Sequence, residues 1–252
     1  MQLHFKTFGS GPAIILLHGL LGSSDNWQPV AQRLAGRFQV FALDARNHGQ
    51  SPHSVDMSFS LMASDLNEFM VGQGIGRAVV AGHSMGGKTA MLFALRHPDM
   101  VEKLLVEDMA PRAYRQSHNP IFAALLALDL ATFESRQAVE EALSPKIPSL
   151  IMRRFLLKNL GRDGDGKFFW RSNLSGLAEN YPRLCEPISH PSPFEKPALF
   201  VRGGMSAYLV PHDEACIGEL FPRAVFKTIP GAGHWIHADR LEAFMGLVLE
   251  FL

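Results

Sequence analysis

Through the first hundred residues, short apolar runs alternate with stretches whose apolar positions recur every three or four residues. The runs at residues 3–8, 13–17, 39–43, 77–81 and 103–106 have the length and β-branched content of strands. Residues 26–34 and 85–96 carry helical spacing. Between them Ser58 or Ser60 is the candidate cap of a helix running to about Val71, with Leu61, Leu66, Phe69 and Met70 near its inner face. A strand followed by a helix and then another strand implies a parallel pair, because parallel neighbours need a crossover that a helix supplies. The pattern therefore predicts an α/β class: a mostly parallel central sheet with helices on both faces.

The rhythm breaks at Pro111. From there to Ser192 the pattern predicts no strand, and residues 120–130, 132–143, 149–160 and 168–179 read as helices punctuated by prolines. Alternation resumes with a strand at 197–201, a helix at 212–220, a strand at 225–229 and a closing helix at 236–251. Residues 1–110 and 193–252 are thus expected to form the core. Residues 111–192 are expected to be a helical insertion after the sixth strand, placed as a cap (lid) over the site.

Composition narrows the class. A chain of 252 residues with 47% hydrophobic and 19% charged residues can bury a sizeable core. Lys plus Arg equals Asp plus Glu at 24 each, so bulk charge gives no reason to expect nucleic acid or an acidic membrane surface. Residues 112–190 hold eleven basic and eight acidic side chains, net +3, leaving −3 for the remainder. Solvated helix faces explain this excess, and a mild preference for anionic substrates is the alternative. Cys185 and Cys216 alone make no disulfide framework or zinc pattern, which fits a reducing, cytoplasmic location. No signal core and no run of about 18 uncharged apolar residues appears, so membrane insertion is not expected. No metal-ligand cluster or dinucleotide fingerprint is present, so neither a metal nor an organic cofactor is expected. The sequence leaves open a monomer or a weak homo-oligomer.

Gly82-His83-Ser84-Met85-Gly86 sits where the strand at 77–81 gives way to the helix at 85–96. A G-x-S-x-G at such a junction is a nucleophile elbow: the chain reverses within a few residues and lifts the Ser84 Oγ above the sheet. Side chains at 82 and 86 would collide with neighbouring strand and helix, hence two glycines. The same turn presents the Met85 N–H at a helix N-terminus, which favours negative charge.

A serine nucleophile needs a base, an acid to orient it, and donors for the oxyanion. His234, in Pro230-Gly231-Ala232-Gly233-His234-Trp235 between the last strand and last helix, falls at the sheet edge that carries the elbow. It is the candidate general base. His83 packs beneath the elbow or lines the pocket. His18-Gly19-Leu20-Leu21-Gly22 follows the buried strand at 13–17, making the Leu20 N–H the second oxyanion donor beside Met85. Gly19 permits close approach, His18 gives support, and Leu21 is a lesser donor or part of the pocket wall. For the acid, Gly203-Gly204-Met205-Ser206 after the strand at 197–201 offers only a serine, which cannot carry the negative charge that stabilises an imidazolium. Asp108, ending the strand beside the elbow's strand, is the first candidate; Asp213, seven residues beyond Ser206, is the second. Glu107 should point to the opposite face. Asp44 and Asn47, in a turn-rich loop, are expected to bond local amides, with Arg46 or His48 at the entrance.

The segments Asp44-Ala45-Arg46-Asn47-His48-Gly49-Gln50-Ser51, Gly82 to Gly87, Asp108-Met109-Ala110-Pro111 and Arg202-Gly203-Gly204-Met205-Ser206-Ala207-Tyr208 together resemble the YbfF-type esterases, within the α/β-hydrolase superfamily. The resemblance spans nearly the whole chain and is weakest through residues 111–192. It implies the α/β-hydrolase fold and hydrolysis of carboxylic esters, with some activity on acyl thioesters. It also implies an acid after the sixth strand, which supports Asp108 with Ser84 and His234. The opening strand region is short, as if the usual first hairpin were trimmed.

The expected function is a serine carboxylesterase acting on short-to-medium acyl esters or thioesters through an acyl-enzyme. Phe122, Leu125, Leu126, Phe155, Leu156, Phe168, Phe169, Trp170 and Leu177 offer apolar surface, with Trp235 and Met85 added from the core. Leu21, His83, Phe122, Trp170 and Trp235 are the candidate substrate contacts. Two competing readings keep the same scaffold: a C–C bond hydrolase or lyase, and a slow-turnover signal-binding homologue. Dehalogenase and epoxide hydrolase chemistry is disfavoured because position 84 is Ser rather than Asp.

Overall fold

The apolar runs fold as β1 (Phe5–Phe8), β2 (Ala13–Leu17), β3 (Gln39–Leu43), β4 (Ala78–His83) and β5 (Val101–Glu107), followed much later by β8 (Ala198–Gly203) and β9 (Ala224–Ile229). In the computed structural model, which describes residues 1–252, these form one sheet in the order β1-β3-β2-β4-β5-β8-β9. Only the edge pair β1–β3 is antiparallel. A single strand opens the sheet ahead of β2, so the strand the family counts as sixth is β5 in this chain.

Period-two alternation splits the strand side chains between two cores. Ile15, Leu17, Phe41, Val80, Leu104 and Phe200 face one layer with α2 (Phe59–Gly72) and α3 (Met85–Arg96). Ile14, Leu16, Val40, Val79, Leu105 and Val201 face the other, against α1 (Gln28–Leu34) and α10 (Leu241–Phe251). Both faces are covered, which is why the central strands read as continuous apolar runs. Ser58, not Ser60, caps α2: its hydroxyl accepts from the Leu61 N–H at 3.2 Å. The closing helical stretch is broken at Arg240 into α9 (Ile236–Asp239) and α10.

Between β5 and β8 lie α4 (Asn119–Leu126), α5 (Arg136–Leu143), α6 (Leu150–Leu157) and α7 (Leu174–Leu184). This stretch is not wholly helical. Residues 168–170, expected to begin a helix, form β7 (Phe168–Trp170), antiparallel to β6 (Leu160–Arg162). Asp163-Gly164-Asp165-Gly166 supplies the turn: the Asp163 N–H donates to the Lys167 carbonyl at 2.9 Å, and Gly166 adopts φ +79°. A turn that needs a left-handed glycine, followed by three aromatic β-formers, outweighs the helical spacing.

Between them, α8 (Glu214–Leu220) links β8 and β9 on the same layer as α3, with Ile217 fully buried. The C-terminal ends of β4 and β5 and the loops after β2, β8 and β9 meet at one edge of the sheet, where the residues with chemical potential gather.

Candidate active site

Ser84 joins β4 to α3 with φ 52° and ψ −116°, a left-handed conformation that a non-glycine residue adopts only under constraint. The constraint is visible on both sides. A Cβ at Gly82 would fall 2.2 Å from the Gly86 carbonyl oxygen, and one at Gly86 would fall 2.3 Å from that of Leu17. The Ser84 N–H donates to the Glu107 carbonyl at 3.1 Å, and its carbonyl accepts from the Lys88 N–H at 3.1 Å. Met85, the first helical residue, leaves its N–H outside the intrahelical ladder.

Asp108 follows β5 directly, also at positive φ (50°), and is fully buried. Its Oδ2 lies 2.7 Å from His234 Nδ1 and accepts the Ser206 hydroxyl; its Oδ1 accepts from the Gly203 N–H at 3.1 Å. The second candidate, Asp213, is engaged elsewhere: it accepts from Arg112 Nε at 2.7 Å and from the Val210 N–H at 3.0 Å. Glu107 does turn to the opposite face, where it accepts from the His237 N–H at 2.9 Å and meets the His237 ring. Burial pushes the Glu107 carboxyl up, but His237, His83 and the hydrogen bonds bring it below its ordinary value.

The His234 ring is fixed from three directions. Asp108 holds Nδ1, Tyr208 stacks on its face with centroids 3.8 Å apart at 19°, and His83 Nε2 donates to the His234 carbonyl at 2.9 Å. Burial, with His118 and His237 nearby, pushes the His234 pKa down against the pull of Asp239. Its resting form is therefore the neutral imidazole. Burial also pushes the Asp108 carboxyl up, opposed by the Ser206 and Gly203 hydrogen bonds. His83 is driven well below its ordinary value by burial, despite Glu107.

The loop after β2 is pinned by two histidines. His18 Nε2 accepts from the Ala45 N–H at 3.0 Å while Nδ1 donates to the Gly19 carbonyl at 2.8 Å. His48 Nε2 accepts from the Leu21 N–H at 3.1 Å. That bond occupies the Leu21 N–H, whereas the Leu20 N–H donates to no protein group. Leu21 sits at φ 59°, and its carbonyl accepts from Asn159 Nδ2. His48 is fully buried and its pKa falls to about 3, chiefly through desolvation, so it supports the loop instead of bordering an entrance. Arg46 is likewise buried, in a two-point ion pair with Asp65 at 2.6 and 2.8 Å. Asp44 accepts from the Ser24 and Gln50 N–H groups at 2.6 and 2.9 Å, and Asn47 from the Ser54 N–H at 2.7 Å.

A cavity of about 430 Å³ opens over these groups. Ser84, His234, Leu20, Leu21, Met85, His83 and Trp235 all line it, α6 and α7 contribute Met152, Phe155, Leu156, Tyr181 and Leu184, and Cys185 follows at the end of α7. Phe122 and Trp170 do not. Phe122 is buried against Tyr181 (centroids 5.4 Å apart), so it packs α4 onto α7. Trp170 belongs to the β6–β7 hairpin, paired with Leu160. Several contributors were not anticipated, among them Tyr208 on the imidazole, Lys88 one turn past the elbow, and Arg112, Tyr114 and Arg115 before α4. Tyr208 ends the Arg202–Tyr208 segment singled out in the sequence, and Lys88 follows Gly87 in the elbow segment; nothing in local pattern marked Arg115.

The sheet order, the strained serine turn and the surrounding helices define a class, and the chain belongs to the α/β-hydrolase family. The family model described as "alpha/beta hydrolase fold" matches residues 12–108. Among its relatives, the mouse (Mus musculus) sn-1-specific diacylglycerol lipase ABHD11 is 41% identical over 249 residues, covering 96% of this chain and 81% of that protein. Esterase YbfF of Escherichia coli is 35% identical, covering 95% of this chain and 92% of its own. A solved structure described as a marine microorganism esterase superposes with a TM-score of 0.97 at 44% identity, covering 100% of this chain and 99% of that one. The resemblance to YbfF-type esterases thus extends over nearly the full length. No helix is long and apolar enough to cross a membrane.

Proposed function

We propose that this chain is a serine carboxylesterase that cleaves short-to-medium acyl esters, and acyl thioesters secondarily, through an acyl-enzyme. The observation that carries the reading is the 2.7 Å contact between His234 Nδ1 and Asp108 Oδ2 at the cavity that Ser84 lines. With Nδ1–H donated to the carboxylate, Nε2 is the free basic nitrogen of a neutral ring. His234 takes the Ser84 proton as Oγ attacks the substrate carbonyl. The Leu20 and Met85 N–H groups receive the developing oxyanion, where preorganised donors stabilise the transition state more than the ground state. His234 then protonates the departing alkoxide, and a water activated by the same ring releases the acid. Asp108 stabilises the transient imidazolium, and Ser206 and Gly203 keep that carboxylate aimed at Nδ1.

Residues 111–192 act as the cap, supplying the apolar wall of α6 and α7 that receives the acyl chain. The relatives named as esterases or lipases support an ester substrate. Ser84→Ala is expected to lower the turnover of p-nitrophenyl butyrate by about 10⁵–10⁶-fold, leaving only what binding and the oxyanion donors provide. Retention of more than a few per cent of wild-type kcat would remove Ser84 as nucleophile.

A further inference from the structure

The cavity holds no carboxylate among its lining residues, yet three cationic side chains reach it: Lys88, Arg112 and Arg115. They are not equivalent. Arg112 is neutralised from behind by Asp213 at 2.7 Å. Lys88 is almost completely buried, and its ammonium donates to one protein acceptor, the Glu186 carbonyl at 2.5 Å, out of three N–H bonds available. The Phe59 and Tyr114 rings lie 5.3 and 4.9 Å from its Nζ. Arg112 Cζ lies 4.2 Å from the centroid of the same Tyr114 ring, so one aromatic ring gathers both charges. Arg115 is exposed at the mouth, and its guanidinium has no protein partner.

This cationic wall adjoins the reacting groups. The Tyr114 ring stacks toward Tyr208 (5.7 Å), and Tyr208 stacks on His234 (3.8 Å). Lys88 stands one helical turn beyond Ser84 on α3. Resting on the esterase reading above, we infer that the cavity contains an anion subsite, built by Lys88 and Arg115 with Arg112 behind, that selects esters carrying a carboxylate or phosphate group. Burying an ammonium without a paired anion is costly, and a substrate anion would supply the missing partner. Desolvation lowers Lys88 to about 8, so the side chain is still largely protonated at neutral pH and ready to bind an anion.

The test compares kcat/KM within two matched pairs. p-Nitrophenyl hemisuccinate against p-nitrophenyl valerate places the charge on the acyl side. Butyryl-phosphopantetheine against butyryl-pantetheine places it on the leaving side. The wild-type enzyme is expected to favour the charged member of one pair by about tenfold or more, the size of one charge-assisted hydrogen bond, and the pair that responds tells which side bears the anion. Arg115→Gln, at an exposed position that the fold does not need, should cut that charged-to-neutral ratio by about tenfold, as should raised salt. Lys88→Gln should cut it further. Ratios near one in both pairs, or ratios unmoved by Arg115→Gln and by salt, would overturn the subsite while leaving the esterase intact. Failure to hydrolyse the valerate ester at all would instead strike the esterase reading itself.

Discussion

At the scale of single residues, the site is a set of constrained conformations that local packing forces. Ser84 and Asp108 both sit at positive φ at the ends of neighbouring strands, and both are side chains to which the proposed mechanism gives a role. Such conformations cost on the order of 1–3 kcal/mol each, offset here by the surrounding hydrogen bonds. The electrostatics have a consequence for pH. A general base must be unprotonated, and burial lowers the His234 pKa below 6.5. Burial raises the Asp108 carboxyl to about 7 at the same time, so the hydrogen-bonded pair takes up one proton as pH falls; activity should hold above neutral pH and show a single acid limb as that proton binds and consumes the base. A kcat/KM profile that rises as pH is lowered through this range would contradict the assignment. That Ser84, His234 and Asp108 converge at one edge of the sheet was legible in the sequence, because a strand-to-helix reversal demands glycines and because the loop ends of adjacent strands must meet. Ser206 was legible only as a residue unable to serve as the acid. Its hydrogen bond to Asp108 depends on the loop after β8 folding back across the sheet, a contact no local pattern encodes.

At the scale of elements, the insertion is tied to the core by side-chain amides as well as by apolar packing. Asn180 of α7 donates to the Val55 carbonyl at 2.7 Å and accepts from the buried Met57 N–H at 3.1 Å. Asn180→Ala would strand that N–H, at a cost of about 1–3 kcal/mol. For a chain of this size each kcal/mol lowers Tm by about 2–4 °C, so thermal unfolding should register a clear drop. An unchanged Tm would mean the amide is satisfied by solvent. The succession of strands and helices in the core, and the mostly parallel sheet, followed from periodicity because each core element is amphipathic or fully buried; the strand order did not. The β6–β7 hairpin escaped that reading because three-residue strands are too short to display a period. Phe122 and Trp170 show a related limit: an aromatic side chain announces burial without saying against what. Phe122 meets α7, and Trp170 stays with its hairpin.

At the scale of the whole molecule, zero formal net charge conceals an uneven distribution. The inserted segment carries the positive excess, and two of its arginines reach the cavity. The remaining wall is predominantly apolar, from Leu21 and Met85 below to Met152, Phe155 and Leu156 above. An apolar wall of this kind separates neighbouring chain lengths only by roughly 1–3 kcal/mol per methylene. Across p-nitrophenyl esters from acetate to decanoate, kcat/KM is expected to show a broad maximum over the short-to-medium members. One sharp optimum, with adjacent esters nearly inert, would count against an adaptable acyl pocket.

The proposed mechanism requires Asp108 as the carboxylate that serves His234, and one measurement addresses it: the rate at which a fluorophosphonate labels Ser84, followed by peptide mass spectrometry, in the wild type, Asp108→Asn and Asp213→Asn. The wild type and Asp213→Asn should label at similar rates, with the adduct on Ser84. Asp108→Asn should label about 10³–10⁴-fold more slowly, because the imidazole loses the partner that fixes its tautomer. Slow labelling in Asp213→Asn with normal labelling in Asp108→Asn, or an adduct on any other residue, would contradict it.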